Sequence, residues 1–211
     1  PNGKMCINVP LMPMLKKDMN INHNRHLFDL QSDIQNTILK NTKFQLLDIY
    51  IWSRTNSTKK LMFGSYPMPG NFYAQNTSEF ITVYVKDGKP LNNRSDLIKK
   101  LSALTKDEWL EFTKQIWNIP IPNKSDIAFG SHPAIMPEEI VRRLVKLFSF
   151  VGDVVLDPFA GSGTTLKVAY ENGRKYIGFE IYSYYKEVIN QKIKLARKNI
   201  KNEYKEFVKN E

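Results

Sequence analysis

Apolar and polar positions along the chain alternate between short β-like runs and longer helical stretches. Lys4–Pro10 (KMCINVP) is an apolar run after an Asn2-Gly3 turn and reads as a buried strand. Leu11–His26 is polar, Met-rich and irregular, and reads as a long loop. Leu27, Leu30, Ile34, Ile38 and Leu39 recur at helical spacing, which predicts a helix over Leu27–Lys43 with Asp29 or Ser32 as its cap. Phe44–Ser53 (FQLLDIYIWS) is β-rich. Glu79–Lys86 (EFITVYVK) alternates and stops at Asp87-Gly88, so these two segments predict strands joined by a loop too long for mere connection. Between them, Arg54–Ser78 carries many turn residues and little periodicity.

From Pro90 the pattern changes. Ser95–Leu104 and Lys106–Ile116 predict two short helices, and Trp117-Asn118-Ile119-Pro120-Ile121-Pro122 must be extended. A helix over Pro137–Phe148 follows, with Ile140, Leu144, Val145 and Phe148 on one face. Val154–Leu156 predicts a strand, Gly163–Asn172 a helix, Tyr176–Glu180 a strand, and Ser183 to about Lys209 one long Lys-rich amphipathic helix. The strand–helix alternation of the C-terminal half predicts an α/β fold.

Composition narrows the class. The 211 residues are 42% hydrophobic, enough for one sizeable core or one domain with a small insertion. No stretch approaches the roughly 20 apolar residues of a membrane-spanning helix, and Pro1-Asn2-Gly3-Lys4 does not open a signal peptide, so no membrane is expected and a cytoplasmic location is. The single cysteine, Cys6, excludes an internal disulfide and is expected to be buried and inert between Met5 and Ile7. The three histidines have no zinc-ligand spacing, so no metal is expected. Thirty-one Lys and Arg against 21 Asp and Glu leave a net charge of +10. This excess suits a polyanion, although a solvated Lys-rich surface has the same composition.

The segment Val154-Val155-Leu156-Asp157-Pro158-Phe159-Ala160-Gly161-Ser162-Gly163-Thr164-Thr165 changes the picture most. An apolar strand ends in an acid, and a Gly-rich turn then opens a helix. Glycines let the backbone approach a ligand closely, and the first turn of the helix offers free N–H groups. Glu180 stands 23 residues after Asp157, at the end of the next strand. A carboxylate there can accept both hydroxyls of a ribose, as in nucleotide sites at the carboxyl ends of parallel strands.

DPFAGSGTT, followed by YIGFEI, resembles motif I and the acidic motif of the β-type (permuted) DNA amino-methyltransferases, which methylate N4 of cytosine or N6 of adenine. The resemblance implies a Rossmann-like, S-adenosylmethionine-dependent fold. It makes His132, Pro133, Asp157, Pro158, Phe159, Ala160, Gly161, Ser162, Gly163, Thr164, Thr165 and Glu180 the cofactor-binding candidates. His132-Pro133-Ala134 lies in a segment similar to the family's motif X, some 25 residues before the turn. Trp52-Ser53-Arg54 and Phe63–Phe72 resemble the motif VIII loop beside the flipped target base. Trp52, Arg54, Ser65, Tyr66 and Phe72 are therefore candidates for contact with DNA or its base, with Lys59 and Lys60 near phosphate. The domain organisation implied is residues 1–90 for the catalytic half, 91–130 for a target-recognition insertion, and 131–211 for the cofactor half and C-terminal helix.

The family's chemistry uses an Asp/Asn/Ser-Pro-Pro-aromatic tetrapeptide, and no Pro-Pro occurs in this sequence. Of the family's sheet order 3-2-1-4-5-7-6, the chain is expected to supply 2-1 and 5-7-6 but not the strand that carries the tetrapeptide, so no catalytic residue is assigned. A fragment, a truncated reading frame, or one half of an enzyme completed by a second polypeptide is expected. The functional expectation is site-specific methylation of double-stranded DNA, with His132-Pro133-Ala134 pointing to N4 of cytosine. The alternatives are N6 of adenine, or an inactive remnant that binds cofactor or DNA. RNA or a small molecule as substrate on the same fold is disfavoured by the motif VIII and X resemblances.

Overall fold

The computed structural model describes residues 2–15, 25–57, 66–70, 74–90 and 93–209, arranged in two compact units. The first comprises residues 1–91 with 114–118, and the second 92–113 with 119–211.

The first unit is built on a four-stranded sheet. Its strands are β1 (Lys4–Val9), β4 (Phe44–Ser53), β5 (Ser78–Lys86) and β6 (Ile116–Asn118), in the order β1-β5-β4-β6. β5 runs antiparallel to both neighbours, and β6 joins β4 in parallel. Tyr50 and Trp52 on β4 and Trp117 on β6 are buried, but β5 does not alternate as the sequence implies: Ile81, Thr82, Val83 and Tyr84 are buried in succession, so both faces of this interior strand are covered. The Tyr50 and Trp117 rings stack with centroids 4.5 Å apart. Helix α1 (Leu30–Asn41) starts at Asp29, whose carboxylate accepts the Ser32 N–H at 3.1 Å. Gln31 ties it to the sheet by donating to Thr82 Oγ1 at 3.2 Å.

The second unit holds α2 (Asp96–Ser102), α3 (Lys106–Phe112), α4 (Glu138–Phe148), β7 (Val154–Asp157), α5 (Thr164–Glu171), β8 (Lys175–Gly178) and α6 (Lys186–Asn199). β7 and β8 pair in parallel, which sets Val155 beside Tyr176 and Leu156 beside Ile177. Helices cover the Val155–Tyr176 face. Val141 and Val145 of α4 pack with Val168 of α5 against Val155, while Leu166 of α5 and Ile193 of α6 pack against Tyr176. On the opposite face Val154 and Leu156 are 56% and 58% exposed, and Ile177 is exposed too.

Polar groups fasten the helices. The buried Arg174 donates from Nη2 to the Ser149 carbonyl at 2.6 Å, from Nε to Ser149 Oγ at 3.0 Å, and from Nη1 to the Asn172 carbonyl at 2.5 Å. It thereby satisfies carbonyls at the ends of α4 and α5 that lack helical partners. Glu108 of α3 accepts from Arg142 and Lys146 of α4, and the Phe112 ring lies under the Arg142 and Arg143 guanidiniums.

Several expectations are corrected. Within the stretch read as loop, β2 (Met12–Leu15) and β3 (Arg25–Phe28) form an antiparallel pair. Leu27 and Phe28 belong to β3, so the helix begins only at Leu30. No residue of β1 is buried, and Cys6 is exposed. The long C-terminal helix stops at Ile200, which is extended, and resumes as a 3-10 turn over Asn202–Phe207. Ile200, Tyr204 and Val208 join Val151 in one buried cluster around this break. The segment 91–130 is divided, with α2 and α3 in the second unit and β6 in the first. Both expected strand sets, β8-β7 and β1-β5-β4, are present. Among the described residues no helix is long and apolar enough to cross a membrane.

Candidate functional site

The turn after β7 is fixed by its own backbone. Asp157 closes it, its Oδ1 accepting the Phe159 N–H at 3.0 Å and its carbonyl the Phe179 N–H at 2.9 Å. Ala160 N–H returns to the Phe179 carbonyl at 2.8 Å, lacing the turn to the end of β8. Gly161 and Gly163 have φ of +50° and +81°, a region that costs other residues about 1–2 kcal/mol. The turn then delivers Thr164 as the first residue of α5.

Glu180 completes this arrangement. Its Oε2 accepts the Gly161 N–H and its Oε1 the Tyr182 N–H, both at 2.8 Å. The carboxylate is thus held at the carboxyl ends of two parallel strands. Each oxygen keeps a lone pair for a further donor, which suits a pair of adjacent hydroxyls. Phe159 (87% exposed) and Ile181 (88%) offer open apolar surface next to Asp157 and Glu180 in the chain. Pro133 and Pro158 are also exposed, whereas Ala160, Ser162, Gly163 and Thr164 are buried and Thr165 is half-buried.

The His132 ring lies against the same turn. A Cβ on Gly161 would fall 2.8 Å from His132 Nε2. The other face of the imidazole meets Tyr185, with centroids 4.6 Å apart. His132 Nδ1 accepts the Ala134 N–H at 3.1 Å, which leaves the proton of the neutral ring on Nε2. Burial holds the imidazole below its ordinary pKa. Lys192 pushes the same way, and the Glu180 carboxylate opposes. His132, Gly161 and Glu180 therefore form one cluster, as the sequence reading requires.

Sequence reasoning missed two residues here. Lys192 on α6, 1% exposed, donates to Thr164 Oγ1 at 2.9 Å and pairs with Asp126 Oδ1 at 3.1 Å. Neither belongs to a motif, and one lysine within the Lys-rich stripe of α6 carries no local signal. Gly178 has a packing role that a glycine before an acidic residue could have suggested: a Cβ there would lie 2.7 Å from Leu166 Cδ1, so the glycine lets α5 approach β8.

The residues expected to contact DNA or its base fall within the first unit. Trp52 is 5% exposed, its ring packed in the sheet's core with little face left for a ligand. Arg54 pairs with Glu79 at 3.3 Å and donates to the Asn76 carbonyl, so its guanidinium braces the ends of β4 and β5. Tyr66 is 69% exposed in the turn 66–70 and remains open to a partner. Ser65, Phe72, Lys59 and Lys60 lie outside the described residues.

An acid-ended strand, a Gly-rich turn and a second acid bonded back to that turn define a nucleotide-type site on an α/β fold. Residues 1–191 match the N6/N4 methyltransferase family model, described as DNA methylase, and the chain belongs to that family. It is 35% identical over 201 residues to Type II methyltransferase M.MjaI of Methanocaldococcus jannaschii, covering 95% of this chain and 64% of that protein. It is 28% identical to Type II methyltransferase M.MthZI of Methanothermobacter thermautotrophicus, covering 79% of this chain and 50% of the relative. Among solved structures, a putative DNA modification methylase from Thermus thermophilus, complexed with S-adenosyl-L-methionine, matches with a TM-score of 0.73 and 30% identity. That match covers 93% of this chain and 70% of the neighbour. The chain thus spans between half and about two thirds of the length of the curated relatives it matches.

Proposed function

We propose that this chain binds S-adenosylmethionine and forms the larger part of a site-specific DNA amino-methyltransferase acting on N4 of cytosine. The observation that carries the reading is the Glu180 carboxylate, bonded at 2.8 Å to the Gly161 N–H with an accepting face left for two hydroxyls. The residues fit the cofactor. Glu180 takes the ribose, the glycines keep side chains out of the approach, Phe159 and Ile181 supply apolar contact for the adenine, and His132 with Pro133 borders the methionine end. S-adenosylmethionine supplies an electrophilic methyl on a sulfonium. The protein's part is to hold that methyl in line with the amino nitrogen, so the gain comes from positioning. The neutral, half-buried His132 adds no positive charge beside the sulfonium.

Double-stranded DNA is the proposed substrate. The net charge of +10 favours phosphate contact, and the Type II relatives support a restriction-modification role. Tyr66, with Ser65 and Phe72, is the proposed base-side surface, and Arg54 and Trp52 support it from the sheet. The choice of N4-cytosine over N6-adenine rests on His132-Pro133-Ala134.

Transfer also needs an acceptor for the hydrogens of the target amino group, and no Pro-Pro-aromatic tetrapeptide stands in this sequence. We assign that group to a further segment, on the same or a second polypeptide. Support comes from the exposed Val154–Leu156 face and from β7, which among the described residues pairs only with β8. Parallel sheets are normally covered on both faces. The test is calorimetric titration of S-adenosylmethionine into the purified protein. Micromolar binding lost in Glu180→Ala supports the reading; wild-type affinity in that variant refutes it. Methylation of DNA at ordinary rates by residues 1–211 alone would refute the need for a completing segment.

A further inference from the structure

We propose that Lys192 is a positioning residue for the cofactor site: with Asp126 it forms a buried strut that holds the Gly-rich turn against the loop carrying His132. This deepens, and rests on, the reading of the site as an S-adenosylmethionine pocket.

The Lys192 side chain is 1% exposed. Its ammonium donates to Thr164 Oγ1 at 2.9 Å and Ser162 Oγ at 3.3 Å, and pairs with Asp126 Oδ1 at 3.1 Å. Three donors thus meet three acceptors on two segments distant in sequence. Local structure does not explain a cation here. Thr164 begins α5, and the positive end of a helix dipole repels a positive charge. Filling space does not explain it either, because an apolar side chain of similar volume fills a buried position without the cost of desolvating a charge. What the lysine alone provides is a bonded link between the turn and the 123–132 loop.

That link continues to His132. Asp126 Oδ1 also accepts the Ala128 N–H at 2.8 Å, and the Ala128 carbonyl accepts the His132 N–H at 3.0 Å. The His132 ring then returns to the turn at Gly161. The path from turn to Lys192, Asp126, Ala128, His132 and back to the turn is closed. The turn to which Glu180 is bonded and the loop that presents His132 are thus linked through one ion pair. Lys192 also adds its charge to the burial that keeps His132 neutral, while Glu180 opposes it.

The test uses Lys192→Met, Lys192→Arg and the double variant Asp126→Asn/Lys192→Met. The double variant leaves no unpaired buried charge and so keeps its fold where the single change loses it. Two quantities are read in each: S-adenosylmethionine affinity by calorimetry, and the His132 titration by NMR. The expected result is a roughly ten-fold weaker affinity in the double variant, equivalent to about 1.4 kcal/mol. The His132 pKa should rise, because a neighbouring positive charge is gone, and Lys192→Arg should restore both in part. A lysine that only braced the fold would leave the affinity of the folded double variant unchanged, although loss of its charge would still shift the His132 titration. A folded double variant with wild-type affinity overturns the proposal. Absence of binding in the wild type would refute the pocket reading instead; the His132 titration would then decide the strut alone, an unchanged value removing it.

Discussion

Replacing Gly161 by alanine tests the geometry of the site without touching a charged group. Two effects add. At φ +50° the backbone lies in the left-handed region, which costs a residue with a Cβ about 1–2 kcal/mol. The new methyl would lie 2.8 Å from His132 Nε2 and 3.4 Å from Cε1, closer than such atoms pack, so the imidazole must move and lose part of its contact with Tyr185. Overpacking of this kind costs roughly 1–3 kcal/mol. A total of about 2–5 kcal/mol is expected, which in a chain of this size lowers Tm by roughly 4–20 °C. The two effects separate in a double-mutant cycle. In a His132→Ala background the overlap disappears, and Gly161→Ala should cost only the backbone part. Thermal or urea unfolding of the four proteins gives the coupling, expected to exceed about 0.5 kcal/mol in favour of the double variant. Strictly additive losses would refute the placement of His132 against the turn, and with it the clustering of the two motifs.

Other outcomes follow from the same structure. Glu180→Gln should bind S-adenosylmethionine more weakly than wild type but better than Glu180→Ala, because the amide oxygen still accepts one N–H; equal loss in both would make the charge alone decisive. Arg174→Met should destabilise by about 3 kcal/mol, since it leaves buried carbonyls at Ser149 and Asn172 without a donor, and a urea midpoint within error of wild type would remove that role. Burial raises the pKa of Glu139, but bonds from Arg142 and Arg143 outweigh it and hold the group below its ordinary value; the same balance, with Lys146, lowers Glu108. A depressed carboxylate contributes stability that is fully present above its unfolded pKa of about 4.3 and lost as pH falls through the folded value. Unfolding measured from pH 7 to 3 should therefore show a loss below about pH 4 that is smaller in Glu139→Gln. Leu156→Gln, at a side chain more than half exposed, should change the stability of these 211 residues by less than about 0.5 kcal/mol. It should weaken association with a completing segment that packs on that face; unchanged association would remove the face from the interface.

The cofactor half was legible in the sequence because its signals are local. A left-handed glycine, an acid at a strand end and a second acid one strand later are properties of neighbouring residues, and Asp157, Gly161, Gly163 and Glu180 stand where that spacing places them. Three strands of the first unit, β1, β4 and β5, were legible from their apolar and β-rich runs, whereas β2 and β3 were not. Tertiary structure alone decided the rest. Lys192 reads as one more lysine on an amphipathic helix until Asp126, Ser162 and Thr164 are brought around it from segments 28–66 residues away. Ile200, Tyr204 and Val208 meet Val151, from a distant segment, in one buried cluster around the break after α6. Trp52 carries the same identity whether it stacks on a base or fills a core, and only the pairing of β4 with β5 and β6 buries it. Spacing along the chain fixes which backbone shapes are available; which side chains meet depends on long-range packing, which no single segment specifies.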